Sequence, residues 1–280
     1  DIFYDDPNVL HICLHQDGHT LFPGTGFKKD LGGPTAQGYT LNLALPPNTT
    51  DQGLHYALDN LILPVLEDFN PDLVINSAGQ DNHFSDPLTN MQITAQGYAQ
   101  LNDKLDPDLA IMQGGYAIET ALPYTNLGII LAMAGLDYSN IIEPDYNPEV
   151  KEQATKITQD IKEKVDFLLK KWKMRKELNT EEMGQGKYKT TTKTITYDTD
   201  RITDQQKIKQ RLCPQCPGIK ITESQASPVN YGAIKTIEIP FNACKQCKQE
   251  AYQKYETTKD NNDFDHCYLQ DKTEDKTIQS

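Results

Sequence analysis

Two short apolar runs, each closed by glycine and then one polar side chain, constrain this chain more than any other feature. Val74-Ile75-Asn76-Ser77-Ala78-Gly79-Gln80-Asp81 is the first, and Leu109-Ala110-Ile111-Met112-Gln113-Gly114-Gly115-Tyr116 is the second. A parallel strand buried on both faces reads this way. Ligands of open α/β sheets gather beyond the carboxyl ends of the strands. The pattern therefore predicts that Asp81 and Tyr116 enter one cleft. A carboxylate there suits a metal, and a phenol suits donation to a developing oxyanion.

The 280 residues, 37% of them hydrophobic, suffice for one large domain and a small one. The longest apolar run, around Leu127 to Leu136, is about ten residues, short of the roughly 18 needed to cross a bilayer. No signal-peptide pattern is present, and the sequence opens at Asp1 in what reads as mid-domain, so it is expected to be a fragment of a longer protein. Residues 1–147 carry 19 acidic and 3 basic side chains, a net of −16, whereas residues 148–280 carry a net of +3. The acidic half repels nucleic acid and draws in cations such as lysine tails or polyamines, although solubility alone accounts for it equally well. Four of the six cysteines form two C-x-x-C pairs. Without a secretory signal that pattern favours metal over disulfides and a reducing, cytoplasmic compartment.

Val9 to His15 and Tyr39 to Leu45 read as strands on either side of a glycine- and proline-rich loop. Asp51 to Phe69 has helical spacing, Ile93 to Leu101 reads as helix, and an apolar helix is expected near Leu127 to Leu136. Strands alternating with helices predict a parallel sheet. The expected domains are a main body over 1–147, an amphipathic helix within 148–178, a polar linker over 179–209, a cysteine-bearing module over 210–256 and a charged, disordered tail over 257–280.

Four segments, in order, carry a family resemblance: Phe3-Tyr4-Asp5-Asp6-Pro7-Asn8-Val9-Leu10, Leu21-Phe22-Pro23-Gly24-Thr25-Gly26, Ser77-Ala78-Gly79-Gln80-Asp81 with Asp86-Pro87-Leu88, and Gly114-Gly115-Tyr116. Residues 1 to about 140 resemble the C-terminal part of the catalytic domain of zinc-dependent histone deacetylases, acetylpolyamine amidohydrolases and acetoin-utilisation proteins. The resemblance implies an α/β fold, namely part of the arginase–deacetylase fold, with a parallel sheet flanked by helices. It implies that Asp81 is a ligand of the catalytic zinc and that Tyr116 donates to the substrate carbonyl. Phe22 would line the acyl-lysine tunnel, with Gly114 and Gly115 shaping the substrate site. It further implies a monovalent-cation (K+) site at the carbonyls of Phe3, Asp6 and Val9, near Tyr39. Cys13 stands where many members have a serine beside a monovalent cation. The family's other zinc ligands, an Asp-x-His pair, and its two adjacent histidines fall upstream of Asp1, so this fragment alone is expected to be inactive.

Other patterns have plainer readings. His11, His15 and His19 recur every four residues, but Val9 to Leu14 alternates like a strand and Asp17-Gly18 would break a helix, so a metal triad is not expected. His83 follows Asp81 by two and is expected to play a supporting role. Gly24-Thr25-Gly26 lacks the Gly-Lys-Ser/Thr of a phosphate loop. Asn48-Thr49-Thr50 matches a glycosylation triplet in a chain with no sign of secretion.

Cys213-Pro214-Gln215-Cys216 and Cys244-Lys245-Gln246-Cys247 form two knuckles, with a strand expected between them over Ile234 to Phe241. Together Cys213, Cys216, Cys244 and Cys247 make a closed tetrahedral donor set for a structural Zn2+, resembling a small zinc ribbon. A redox dithiol is the alternative. So small a module is expected to rely on metal for its folding energy, and His266 and Cys267 are expected to be unstructured. The functional reading is zinc-dependent hydrolysis of an N-acetyl group from a lysine side chain. The rivals are deacetylation of a polyamine or other small amine, and a non-catalytic scaffold of the same fold. The ribbon's partner is not legible, and no membrane association is expected.

Overall fold

The computed structural model describes residues 2–144, 146–147, 152–182, 184, 186–197, 201–228, 232–259 and 263–280. The chain divides into two compact units. One comprises Leu10–Leu31 and Thr40–Lys173, and the other comprises Asp1–Val9, Gly32–Tyr39 and Met174–Ser280.

In the unit holding Thr40–Lys173, β1 (His11–Gln16) and β2 (Thr40–Leu45) pair in parallel. Every residue of β2 is buried, and α5 (Thr155–Lys173) packs against it. The inward stripe of α5 is Ile161, Val165, Leu168 and Trp172, at the spacing of one helix face. Lys164 is buried on the same helix. Its Nζ donates to the Ala44 carbonyl at 2.6 Å and pairs with Asp160 at 2.7 Å and Asp17 at 3.2 Å, so its charge is answered.

The helix expected over Asp51–Phe69 forms as α1 (Asp51–Ala57), a π-helical turn (Leu58–Ile62) and α2 (Leu63–Phe69). The Thr50 hydroxyl caps its start by accepting from the Gln52 N–H at 3.3 Å. β3 (Ile75–Ala78) and β4 (Leu109–Met112) pair in parallel, Ile75 opposite Leu109 and Ala78 opposite Met112. One face of this pair meets helices. Ala78 and Ala110 share a core with Leu54 of α1, Tyr98 of α3 (Ala95–Leu105) and Ile129 of α4 (Leu122–Met133). The other face is open, with Ile75 49%, Leu109 47% and Ile111 42% exposed. The expectation of burial on both faces is therefore corrected: the apolar residues of both faces are present, but one face has no covering layer among the described residues.

The other unit carries a six-stranded sheet. Its strands are β5 (Tyr188–Tyr197), β6 (Ile202–Arg211), β7 (Lys220–Ser227), β8 (Ala233–Ile239), β9 (His266–Asp271) and β10 (Lys276–Gln279), in spatial order β10-β9-β8-β7-β6-β5. All neighbours are antiparallel except β8 and β9, which α7 (Lys245–Lys259) joins as a parallel crossover. Ile219, Ile221, Ile237, Ile239 and Leu269 meet Ala251 and Tyr255 of α7 in one core.

Three expectations are overturned here. The polar linker of 179–209 is instead the end of α6 (Arg175–Glu182), then β5 and most of β6. Its threonines are β-branched and favour strands. Because β5 is almost wholly exposed, it lacks the apolar alternation that would announce a strand. The charged tail of 257–280 supplies β9 and β10, and Cys267 is buried within the sheet. Nor is the cysteine module poor in core, since its strands belong to the larger sheet. The long helix expected within 148–178 resolves into α5 and the start of α6, and residues 148–151 lie outside the described residues.

Asp5 rests on Gly33, where a Cβ would come within 1.7 Å of its Oδ1. That oxygen is buried without a hydrogen-bond partner. Burial raises the Asp5 pKa from 3.8 to about 6, with Lys220 and Lys272 opposing and Glu238 reinforcing. A carboxyl raised on folding contributes its stability fully below the unfolded pKa and loses it as pH climbs through the folded one. Asp5→Asn is thus expected to stabilise the fold at pH 7 by up to about 3 kcal/mol and to change little at pH 4. Urea unfolding at the two pH values checks this. Hydrogen exchange checks the sheet: the Ile208 amide, on a strand paired on both sides, should exchange orders of magnitude more slowly than a free linker. Unprotected exchange across 202–211 would restore the linker reading.

Candidate active site and metal centre

The loops leaving β3 and β4 are held together by the Gln80 N–H, which donates to the Gly114 carbonyl at 2.5 Å. The Asp81 carboxylate lies on the bare Cα of Gly114, so that a Cβ there would come within 2.8 Å of Oδ2. Gly115 has φ +153°, and a Cβ on it would meet Leu122 at 2.7 Å. A larger residue would thus displace the Asp81 carboxylate at position 114 and strain the backbone at position 115. Burial raises the Asp81 pKa, its own backbone N–H opposes the rise, and Asp86 adds to it. A cation beside it would reverse that rise. Tyr116 follows two residues after Gly114 and is 54% exposed.

Asp86 anchors the tyrosine. Its Oδ2 accepts from the Tyr116 N–H at 2.7 Å and the Ala117 N–H at 3.2 Å, and its Oδ1 accepts from the Leu88 N–H at 3.0 Å. The Gln80 side chain accepts from the Thr125 hydroxyl and donates to Asn126, tying the Asp81 loop to α4. His83 is fully buried: its Nδ1 sits 3.0 Å from the Ser85 hydroxyl and its Nε2 3.5 Å from Glu143. Burial works against the Glu143 carboxylate, yet His83 and backbone N–H groups hold its pKa below the usual range. Tyr98 is buried beside Asp81 and Asp86, and its phenol is held well above the usual range, first by burial and then by Asp81.

The remaining sequence candidates fall as follows. Phe22 is 54% exposed and is not a core residue. The Phe3 carbonyl accepts from the Asp6 N–H at 3.0 Å and the Asp6 carbonyl from the Val9 N–H at 3.2 Å, leaving each a second lone pair. His11 and His15 lie on β1, not on a helix. His15 Nε2 is 2.9 Å from the Gly26 carbonyl, and His19 Nδ1 is 2.6 Å from Asp17. Cys13 is half-buried, which raises its pKa. Thr49 and Thr50 of the glycosylation triplet are buried, and Thr50 is the cap of α1. Sequence reasoning missed Gln80, Thr125, Asn126, Tyr98 and Glu143 as supports of the site. Nothing local marks Gln80, Thr125, Asn126 and Glu143, because their partners lie 45 to 60 residues away in the chain.

In the other unit, the sulfurs of Cys213, Cys216, Cys244 and Cys247 lie within 4.8 Å of one another, three of them on buried residues. Among the described residues this is the group of three or more donors able to hold a metal ion. Burial opposes ionisation of Cys213, but the Gln215 N–H and the neighbouring thiols bring its pKa down to about 7; burial and the same neighbours push Cys247 up. Four sulfurs this close cannot all carry charge without a cation, and four soft thiolates in a closed set fit Zn2+. Asp81 belongs to no such group among the described residues. One carboxylate alone does not make a catalytic zinc site, which takes three protein ligands.

Residues 1–127 match the family model of the histone deacetylase domain. A probable deacetylase of Archaeoglobus fulgidus is 48% identical over 160 residues, covering 54% of this chain and 44% of its own length. The acetoin utilization protein AcuC of Bacillus subtilis is 32% identical over 154 residues, covering 51% of this chain and 40% of its own. The crystal structure of the HDA15 HD domain superposes with a TM-score of 0.50 at 25% identity, over 64% of this chain and 49% of that one. The chain thus spans less than half the length of these two curated relatives.

Asp86 answers three backbone donors, so Asp86→Ala is expected to leave them unsatisfied and to cost about 1–3 kcal/mol. Denaturant unfolding of the variant against the parent measures it, and an unchanged midpoint would remove Asp86 as the anchor of the Tyr116 loop.

Proposed function

We propose, from the match of residues 1–127 to the histone deacetylase domain model, that the protein hydrolyses the N-acetyl group of an acetylated lysine side chain. The observation that carries this reading is the Asp81 carboxylate seated on Gly114, two residues before an exposed tyrosine, where two parallel strands end.

An amide carbonyl is a poor electrophile, and its oxygen gains charge as the tetrahedral intermediate forms. The Tyr116 hydroxyl donates to that oxygen, and Asp86 holds the tyrosine's backbone in place to do so. The exposed ring of Phe22 flanks the apolar lysine stem and excludes water. Gly114 and Gly115 keep the floor of the site free of side chains. Asp81 supplies one oxygen donor toward a catalytic zinc, and the described residues of this chain do not complete that site. Zinc in such a site lowers the pKa of a bound water to about 7 and polarises the carbonyl. K+ is assigned to the carbonyls of Phe3, Asp6 and Val9, near Tyr39. A structural Zn2+ is assigned to the four clustered cysteines, whose free thiols suit a reducing compartment such as the cytoplasm. No helix among the described residues is long and apolar enough to cross a membrane.

The net charge of −16 over residues 1–147 suits a cationic substrate and keeps an acetylated polyamine as the second reading. Turnover of acetyl-lysine peptides against acetylpolyamines by the intact protein separates the two. Inactivity on both would favour a scaffold. In that protein Tyr116→Phe is expected to keep its zinc and lose about 10²–10³ in kcat, measured with metal content alongside; undiminished turnover would remove Tyr116 from the chemistry.

A further inference from the structure

Arg211 closes β6 beside the cysteine cluster and is only 5% exposed. Its Nη1 donates to Cys247 Sγ at 3.1 Å. Its Nε lies 2.7 Å from Glu250 Oε2, and the other Glu250 oxygen accepts from the Tyr188 hydroxyl at 2.6 Å. The Arg211 backbone is equally fixed. Its N–H donates to the Ile219 carbonyl at 2.9 Å, and its own carbonyl crowds Gly218, where a Cβ would come within 1.9 Å. Both ends of this residue are therefore positioned before any ion enters.

Four thiolates around a divalent cation leave a net charge of −2, here among buried residues. Buried charge is costly unless an opposite charge and a hydrogen bond answer it. A guanidinium is the side chain best suited to that task, being always charged and holding its donors in a planar fork. One arm of this fork donates to a sulfur, and its Nε lies within ion-pair distance of a carboxylate. We propose that Arg211 is a positioning residue of the metal centre, donating to the Cys247 thiolate and offsetting one of the two surplus negative charges. The inference rests on the assignment of a metal to the four cysteines.

The test loads the protein with Co2+ and follows the sulfur-to-cobalt charge-transfer absorption, which only thiolate ligation produces and which a cobalt ion at Asp81 would not. The parent is expected to show that band and to hold the metal against a competing chelator. Arg211→Met should bind about 10- to 100-fold more weakly. Its band should move to lower energy, because a sulfur relieved of its donor holds its electrons less tightly. A merely structural arginine would not shift the band. Arg211→Lys keeps the charge but loses the fork, and its affinity should fall between the other two. Should the methionine variant fail to fold, the lysine variant decides by the same two readouts. A parent without the band overturns the metal assignment and this inference with it. A parent with the band, and variants matching it in affinity and band position, overturns the role of Arg211 alone.

Discussion

Where β3 and β4 end, the Asp81 carboxylate lies against the bare Cα of Gly114, and the rest of the candidate site is arranged around that contact. Parallel pairing from Ile75 and Leu109 to Ala78 and Met112 sends both loops out on the same side. The Gln80 N–H to Gly114 carbonyl bond then sets their separation. A slip of one residue would turn each strand's helix-facing side chains outward. A side chain at position 114 would take the carboxylate's place. The placement of the Asp81 and Tyr116 loops thus depends on a backbone bond and a missing Cβ, neither of which is itself reactive.

The open face of β3 and β4 follows from the same strands. Alternation puts Asn76, Ala78 and Ala110 toward the helices, where the Asn76 amide donates to Asn102 at 2.9 Å. The opposite set, Ile75, Leu109 and Ile111, is as apolar as a core. Strands written in this way bury both faces in parallel sheets, and half-exposed isoleucines and leucines in adjacent register form a contiguous apolar patch. The sequence pattern records the need for a layer on that side, while the described residues provide a layer on the other side only.

Periodicity was a good guide wherever burial was one-sided and local. The stripe of α5 and the run of Asp51 to Phe69 are readable from spacing, because each buries a regular face, whereas the strands of the two parallel pairs are readable as short apolar runs. The Asp81 and Tyr116 segments were readable because glycine spacing reports a tight approach. Reading failed for β5, where lysines and threonines face water on both sides. It failed again for β9, where the charged Asp271 looks like part of a tail. In the fold that carboxylate is buried and accepts from Tyr252 at 3.0 Å and pairs with Lys248 at 3.1 Å, both from α7. Composition measures how polar a segment is, and cannot tell a solvated charge from one answered by a distant partner.

The same distinction governs the four cysteines. A knuckle pair in a short, polar module would owe its folding to metal. Here Cys213, Cys216 and Cys247 are packed with Ile219, Ile237, Ile239 and Leu269, in a core that also takes in Ala251 and Tyr255 of α7. The sheet brings apolar area of its own to bury, so metal is not the sole source of stability. What metal would add is local. It would tie the loop after β6 to the start of α7, beside the Arg211–Cys247 and Arg211–Glu250 contacts. Losing the ion should then loosen that junction, where four thiols would be left crowded together, before it dissolves a sheet whose strands are held by their own backbone ladder.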